Sequence, residues 1–299
     1  MKKNTNLTKI ITVNIIGGLG NQMFQYAFGY SVSKESNSKI KLEVSGFNSY
    51  NQRHYALDLF NVKENSELKP KYDFLINKIN SKHNSLLSKV SSKLLRELLR
   101  FTKFYFQERE RFVFDQNVFN IKTNTFFYGY WQNEKYFKKY RKELLEIFKL
   151  KDIHSQTKEY QQKIIKSESV SLHIRRGDYL NSIHGTCDMK YYKQAVTEIL
   201  KINKKANFFI FSDDISWVKN NLDFIDHKTL VLLESDIPDH EEMYLMSQCK
   251  HNIIANSSFS WWGAWLNQNS DKKVIAPKKW LNSSTLNTND LIPDSWVRL

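Results

Sequence analysis

Apolar positions in the C-terminal half fall into short runs at Val170–Ile174, Phe208–Phe211, Leu230–Leu233, Asn252–Ala255 and Val274–Ala276. Their β-branched and aromatic content marks them as strands. Helix-compatible segments separate the first four, around Tyr191–Leu200, Ser216–Leu222 and Glu241–Gln248, and Ser257–Leu266 fits a helix after the fourth. This alternation predicts a parallel sheet flanked by helices, an α/β fold. Ligands of such sheets gather at the carboxyl ends of the strands. The residues just beyond each run are therefore the ones to read for chemistry.

The N-terminal half opens with an apolar run, Ile10–Ile16, interrupted by Thr12 and Asn14 and ending in Gly17-Gly18-Leu19-Gly20-Asn21. A helical pattern follows through Met23, Phe24, Ala27 and Phe28. Residues from about Lys71 to Phe106 read as mostly helical, and Lys138–Leu150 as another helix. The polar stretch Lys151–Lys158 is the candidate boundary between an N-terminal domain, 1–155, and a C-terminal domain, 156–299. Leu87, Val90, Leu94 and Leu98 share one helical face, and Lys89, Lys93, Arg96 and Arg100 share another. Two readings of that segment stand: a surface helix packing its leucines on the core, or a basic amphipathic helix lying on an anionic membrane.

The 299 residues are 41% hydrophobic and 14% aromatic, enough to build a core and too much for a disordered chain. With only 2 cysteines, Cys187 and Cys249, neither a disulfide framework nor a Cys-rich zinc site is available. No apolar stretch approaches the roughly 20 residues of a membrane span, and the N-terminal apolar run is too short and broken for a signal peptide. The expectation is a soluble, cytoplasmic protein. Lys+Arg number 45 against 31 Asp+Glu, a net charge of +14 that favours anionic partners. No zinc-finger spacing, aromatic RNA-binding signature or solid basic block accompanies it, so nucleic acid is not expected.

The chemistry sits where the strands end. His173-Ile174-Arg175-Arg176-Gly177-Asp178-Tyr179 follows the first run. Guanidinium forks match phosphate oxygens, and glycine allows close backbone approach. An Arg–Asp structural pair is the plainer reading. Both hold if one arginine faces the ligand and Asp178 pins the other, taken here as Arg176. The second run ends in Ser212-Asp213-Asp214. A carboxylate there would accept paired N–H bonds from a guanine edge or hold a metal, although adjacent aspartates on extended chain point apart. Capping of the next helix by Ser212 or one aspartate is the simpler use. Asn256-Ser257-Ser258 begin a helix and offer backbone N–H groups to an anion, or simply cap it. The tryptophans at 261 and 262 fit a core or a sugar-stacking wall. At the N-terminus Gly18 and Gly20 supply G-x-G, but Met23 stands where a dinucleotide fingerprint needs its third glycine, which argues against an oxidoreductase.

Four blocks together resemble the glycosyltransferase family 11 α-1,2-fucosyltransferases, particularly bacterial members that build lipopolysaccharide O-antigen: Gly17–Tyr26, His173–Tyr179, Phe211–Asp214 and Asn256–Trp265. His184-Gly185-Thr186-Cys187 before Tyr191-Tyr192 looks like the O-antigen members too. The resemblance runs from about Val13 to Trp296 and weakens between 65 and 125. It implies a GT-B glycosyltransferase with two Rossmann-like domains facing a cleft, domain 1–155 on the acceptor side and domain 156–299 holding GDP-β-L-fucose. It assigns the diphosphate to Arg175 with Arg176 beside it, guanine to Asp213 and the main chain near His173, and phosphate to Ser257 and Ser258. Asn21 matches a residue of the sugar pocket in protein O-fucosyltransferases. The implied reaction inverts the donor's anomeric centre without metal or other cofactor, Arg175 meeting the charge of departing GDP. Asp178 and His184 are the candidate general bases. The acceptor is a galactose-type glycan, and a lipid-linked one would give the basic helix a purpose at the inner-membrane surface. Fucosylation at another position or acceptor, and a non-catalytic nucleotide or nucleic-acid binder, are the alternatives.

Overall fold

Ile10–Asn14 form strand β1, and the Thr12 and Asn14 that interrupt the apolar run are as buried as Ile11 and Val13. A parallel strand covered on both faces has no solvent side, so its polar residues go inside with the rest. The structure is a computed structural model describing residues 9–49, 53–63, 94–95, 97–99, 101–180, 182–230, 237–282 and 286–299. The chain divides into two units, 1–149 and 150–299.

In the first unit β1 leads through the glycine turn into helix α1, Leu19–Ser36. The helix is buried nearly all round, from Gly20 to Ser33, because it lies between the sheet and the segments that cover it. Gly29 permits close approach to the sheet: a Cβ there would stand 2.5 Å from Val13 Cγ2. The helix stops at Asn37, whose left-handed φ of 47° turns the chain into β2, Lys39–Glu43. Strands β3, Tyr105–Gln107, and β4, Thr125–Tyr128, complete an all-parallel sheet of order β2-β1-β4-β3. Helix α2, Arg141–Ile147, is preceded by a 3-10 turn at Lys138–Tyr140, so the predicted helix at 138–150 is shorter than expected.

Most of the segment expected to be helical at 71–106 lies outside the described residues, as do Leu87, Val90 and all four basic residues of its second face. The described residues between 94 and 99 are helical, whereas Tyr105 and Phe106 belong to a strand. Of the leucine face only Leu94 and Leu98 are described, and they are 60% and 59% exposed rather than packed on the core; among the described residues Leu99, off that face, is buried against Tyr105 and Phe126.

The second unit begins with α3, Ser155–Ile165, and alternates thereafter: β5 Ser169–Ile174, α4 Met189–Ile202, β6 Asn207–Ser212, α5 Ile215–Asn221, β7 Lys228–Leu230, α6 Asp239–Gln248, β8 His251–Ile253, α7 Ser258–Leu266, β9 Val274–Ala276 and β10 Val297–Arg298. These strands form one parallel sheet of order β10-β9-β8-β5-β6-β7. Strand β6 shows the physical basis of its uninterrupted apolar run. Phe208 and Ile210 pack with Val196 and Ile199 on one face, while Phe209 and Phe211 pack with Ile164, Leu245 and Met246 on the other. β7 lies slightly N-terminal to the predicted Leu230–Leu233, whose last three residues are outside the described set.

Buried Glu241 on α6 ties the unit's entry to that helix. Its carboxylate accepts the backbone N–H of His154 at 3.1 Å and the hydroxyl of Thr157. Among the described residues no helix is long and apolar enough to cross a membrane.

Candidate active site

Strands β8, β5 and β6 are neighbours and run in the same direction, so their carboxyl ends set three segments of chain side by side. Those segments carry Asn256–Ser258, Arg175–Asp178 and Asp213–Asp214. The predicted C-terminal residues thus come together at one sheet edge.

After β5 the chain turns through a 3-10 helix at Gly177–Tyr179. Arg175 Nε and Nη2 donate to Asp178 Oδ1 at 3.1 and 2.8 Å, and Nε also pairs with Asp213 Oδ2 at 3.1 Å. The guanidinium lies over the Tyr179 ring, 5.4 Å from its centroid. Burial alone would lower its pKa; Asp213, Asp178 and Tyr179 outweigh that and raise it, so the cation is secured. Arg176 is held separately, by Asp214 Oδ2 at 3.0 Å and by the Trp217 ring at 4.4 Å. The expected partnership is therefore exchanged: Asp178 pins Arg175, and Arg176 takes Asp214.

Asp213 and Asp214 point apart, as adjacent residues leaving a strand should. Asp214 caps α5, accepting Trp217 N–H at 3.0 Å, which realises the simpler of the two expected uses. Asp213 Oδ1 accepts the backbone N–H of Arg176 at 2.8 Å while Oδ2 meets Arg175, so this carboxylate braces the arginine loop. Gly177 makes room for it, since a Cβ there would lie 2.8 Å from Asp213 Oδ2.

His173 is buried, and its Nδ1 has no hydrogen-bond partner among the described residues. Burial, with Arg175 nearby, pushes its pKa down to about 3, so the imidazole is neutral. Ser257 is the N-cap of α7 and accepts Phe259 N–H at 3.3 Å, leaving Ser258 in the first turn. Asn256 serves elsewhere: its Nδ2 lies 3.0, 3.0 and 3.1 Å from the carbonyls of His184, Gly185 and Trp280. That amide holds the loop carrying His184, whose ring stacks on Tyr179 at 4.7 Å. A cavity of about 690 Å³ takes in His184, Asn256, Lys190, Lys278, Lys279 and Trp280, beside the arginines rather than around them. Trp261 and Trp262 are fully buried; Trp261 stacks on Trp265 and Trp262 meets it edge-on, which makes them core rather than a sugar wall.

One residue here escaped the sequence. Glu242, in the first turn of α6, has its carboxyl pushed up to about 8 by burial and by Asp239 and Asp213, against the pull of Arg175. Its side chain makes no hydrogen bond among the described residues. In the sequence it is one of three acids opening a helix, which the helix dipole accounts for by itself.

Asn21 belongs to the first unit. The turn before it needs Gly17, at φ +80°, where a Cβ would lie 2.7 Å from Asn21 Nδ2. Asn21 Oδ1 accepts from Gln132 Nε2 at 2.7 Å, which joins the glycine turn to the segment leaving β4.

Two all-parallel α/β units in one chain, with arginines and helix-start hydroxyls collected on the second, are the layout of a GT-B glycosyltransferase. The solved fucosyltransferase NodZ from Bradyrhizobium shares the fold with a TM-score of 0.50 at 13% identity, over 86% of this chain and 92% of that one. The glycosyl transferase family 11 profile matches residues 1–299, and the chain belongs to that family. It is 37% identical to an alpha-1,2-colitosyltransferase of Escherichia coli, covering 97% of this chain and 99% of that protein. It is 32% identical to the O-antigen biosynthesis glycosyltransferase WbnK of Escherichia coli, over 95% and 98%. A galactoside alpha-(1,2)-fucosyltransferase 2 of Pongo pygmaeus is 24% identical, over 88% and 70%.

Proposed function

We propose that this family 11 enzyme transfers a 6-deoxy-L-sugar of the L-fucose type from its GDP-β-linked donor to the 2-hydroxyl of a galactose-type acceptor, with inversion, in O-antigen or other surface-polysaccharide synthesis. The observation that carries this reading is Arg175, a cation fixed by two carboxylates at a strand end that adjoins the N-terminus of α7.

The acceptor hydroxyl attacks the anomeric carbon as the bond to GDP breaks. Positive charge builds on the sugar ring and negative charge on the diphosphate. Arg175 stabilises the leaving group, with the first-turn N–H groups and hydroxyls at Ser257 and Ser258 beside it. In this role it replaces a divalent ion, so transfer is metal-independent. Asp178 or His184, on one loop, takes the acceptor proton. Asp213 acts through Arg175, and the half-buried carboxyl of Glu242 supplies the acceptor for guanine N–H groups, with the His173 main chain alongside. The domain 156–299 is the donor side and 1–155 the acceptor side. The enzyme works in the cytoplasm, and a lipid-linked acceptor would bring it to the inner-membrane surface.

The donor has two forms, GDP-L-fucose and GDP-colitose, its 3-deoxy counterpart; the second is favoured by the higher identity to the colitosyltransferase. A site that hydrogen-bonds the 3-hydroxyl rejects the deoxy sugar strongly, whereas an apolar wall distinguishes the two weakly. The test is a GDP-release assay with each donor and a β-galactoside acceptor in EDTA, with product linkage read by NMR. Acceptor-dependent release giving an α-1,2 linkage is expected. Release that needs added metal, or another linkage, refutes the corresponding part, and GDP binding without release from either donor points to a different acceptor.

A further inference from the structure

The first unit holds a cavity of about 380 Å³ among the segments that leave the carboxyl ends of β3 and β4. That volume falls in the lower part of the about 300–1,000 Å³ range of small-ligand sites. Its lining combines three carboxylates, Glu108, Glu110 and Asp115, with the aromatic rings of Phe114, Trp131 and Tyr136. Arg109 is the cation in the lining. In a protein of net charge +14 this pocket is locally acidic.

Its chemistry is incomplete. Trp131 is fully buried, yet its indole Nε1–H has no acceptor among the described residues. An unpaired buried donor costs about 1–3 kcal/mol, and Trp131 is one of the residues that line the cavity. Trp131 is held there firmly: its ring stacks on Phe28 at 4.1 Å, and its backbone takes the left-handed φ of 56°. Glu108 fixes the same turn by accepting the N–H groups of Tyr130 and Trp131 at 2.8 and 3.1 Å. Gly129 is required beside it, because a Cβ would lie 2.5 Å from Glu108 Cβ. Glu110, by contrast, is exposed and makes no side-chain ion pair among the described residues. The adjoining Gln132 donates to Asn21, so the cavity wall and the glycine turn share one hydrogen-bonded frame.

From this geometry we infer that the cavity is a saccharide subsite for an uncharged, hydroxyl-rich sugar ring of the acceptor. Sugar hydroxyls donate to Glu110 and Asp115, a sugar oxygen accepts the Trp131 Nε1–H, and the half-buried Phe114 offers an apolar face to the ring's C–H groups. The local negative charge excludes phosphate-bearing and uronate-bearing sugars. The inference rests on the glycosyltransferase reading, but its test does not need turnover.

Saturation-transfer NMR on the full chain, with lactose as a neutral probe and glucuronate as an acidic one, reads binding directly. Lactose should receive saturation and glucuronate should not. Glu110→Arg, on an exposed side chain, should weaken lactose binding about tenfold or more, leave GDP affinity and Tm unchanged, and raise the acceptor KM rather than lower kcat. Trp131→Phe, which keeps a ring but removes the donor, should also weaken lactose, and Glu110→Gln should lose less than the arginine variant. Equal lactose binding by wild type and Glu110→Arg overturns the inference, as does stronger binding of glucuronate or no binding of either sugar. Absence of transfer from both GDP donors, with lactose binding intact and sensitive to Glu110, would refute the proposed reaction and leave the subsite standing.

Discussion

The carboxyl ends of the two parallel sheets carry opposite chemistry. On the second, arginines are held by aspartates, and a helix begins with hydroxyls. On the first, carboxylates, amides and an indole N–H surround a glycine-bearing turn. The same fold rule collects ligand groups at both edges, but the rule says nothing of what the ligand is. Charge decides that. On the proposed reading one edge takes a diphosphate that gains negative charge as it leaves, and the other a neutral polyol.

The most severe way to break this contrast is Arg175→Ala. Loss of the cation that meets the departing diphosphate should lower kcat by about 10²–10³-fold or more, with circular dichroism and Tm showing a folded protein; retained turnover would remove the arginine from the reaction. Next is Glu242→Gln, which tests the second edge without touching its cations. Loss of a charge-assisted hydrogen bond should weaken GDP by about 10–100-fold in calorimetry. The pH dependence has a definite sign. The free carboxyl stays protonated up to about 8, so GDP binding should tighten as pH rises toward that value. The folded pKa lies above the unfolded one, so stability falls from about pH 4.5 to 8 in the wild type, and Glu242→Gln should flatten that fall.

Asn21→Ala probes the first edge. It leaves the buried Gln132 amide without its partner, a loss of about 1–3 kcal/mol, and should lower Tm while GDP affinity stays the same; a change in GDP affinity would dissolve the distinction between the edges. At neutral pH the smallest expected effect belongs to His173. Its folded pKa of about 3 lies below the usual histidine value of 6.5, so the unfolded chain binds the extra proton between them. Stability should therefore rise with pH across that window and be lost as pH falls through it, and His173→Gln should reduce the slope in acid denaturation.

The second unit was far more legible in the sequence than the first. Short apolar runs separated by helices named its strands closely, because strands buried on both faces cannot hide among polar positions. The blocks at their ends stood out since arginines and serines are unusual directly after such runs. What the sequence could not convey was partnership. Arg175 and Arg176 are neighbours in sequence, but the turn at Gly177–Tyr179 swings Asp178 back to the first of them, and only the fold brings Asp214 to the second. Glu242 was hidden by an ordinary explanation for acids at a helix start. In the first unit, Glu108 and Trp131 meet through adjacent strands 20-odd residues apart in sequence, a contact no local pattern records. Gly129, directly after the apolar run that became β4, was the available signal.

Asn256 sets a limit on how this chain can vary. One side-chain amide reaches the carbonyls of His184, Gly185 and Trp280, so two protons are shared among three acceptors from separate stretches of backbone. A single base change in an asparagine codon yields Asp, His, Ile, Lys, Ser, Thr or Tyr, and none of these carries a short carboxamide. Asp is the nearest in shape and the worst in sign, since it sets oxygen against oxygen. Every one-step amino-acid replacement at this codon therefore loosens the His184 loop, and the position is isolated in the genetic code as well as in the fold.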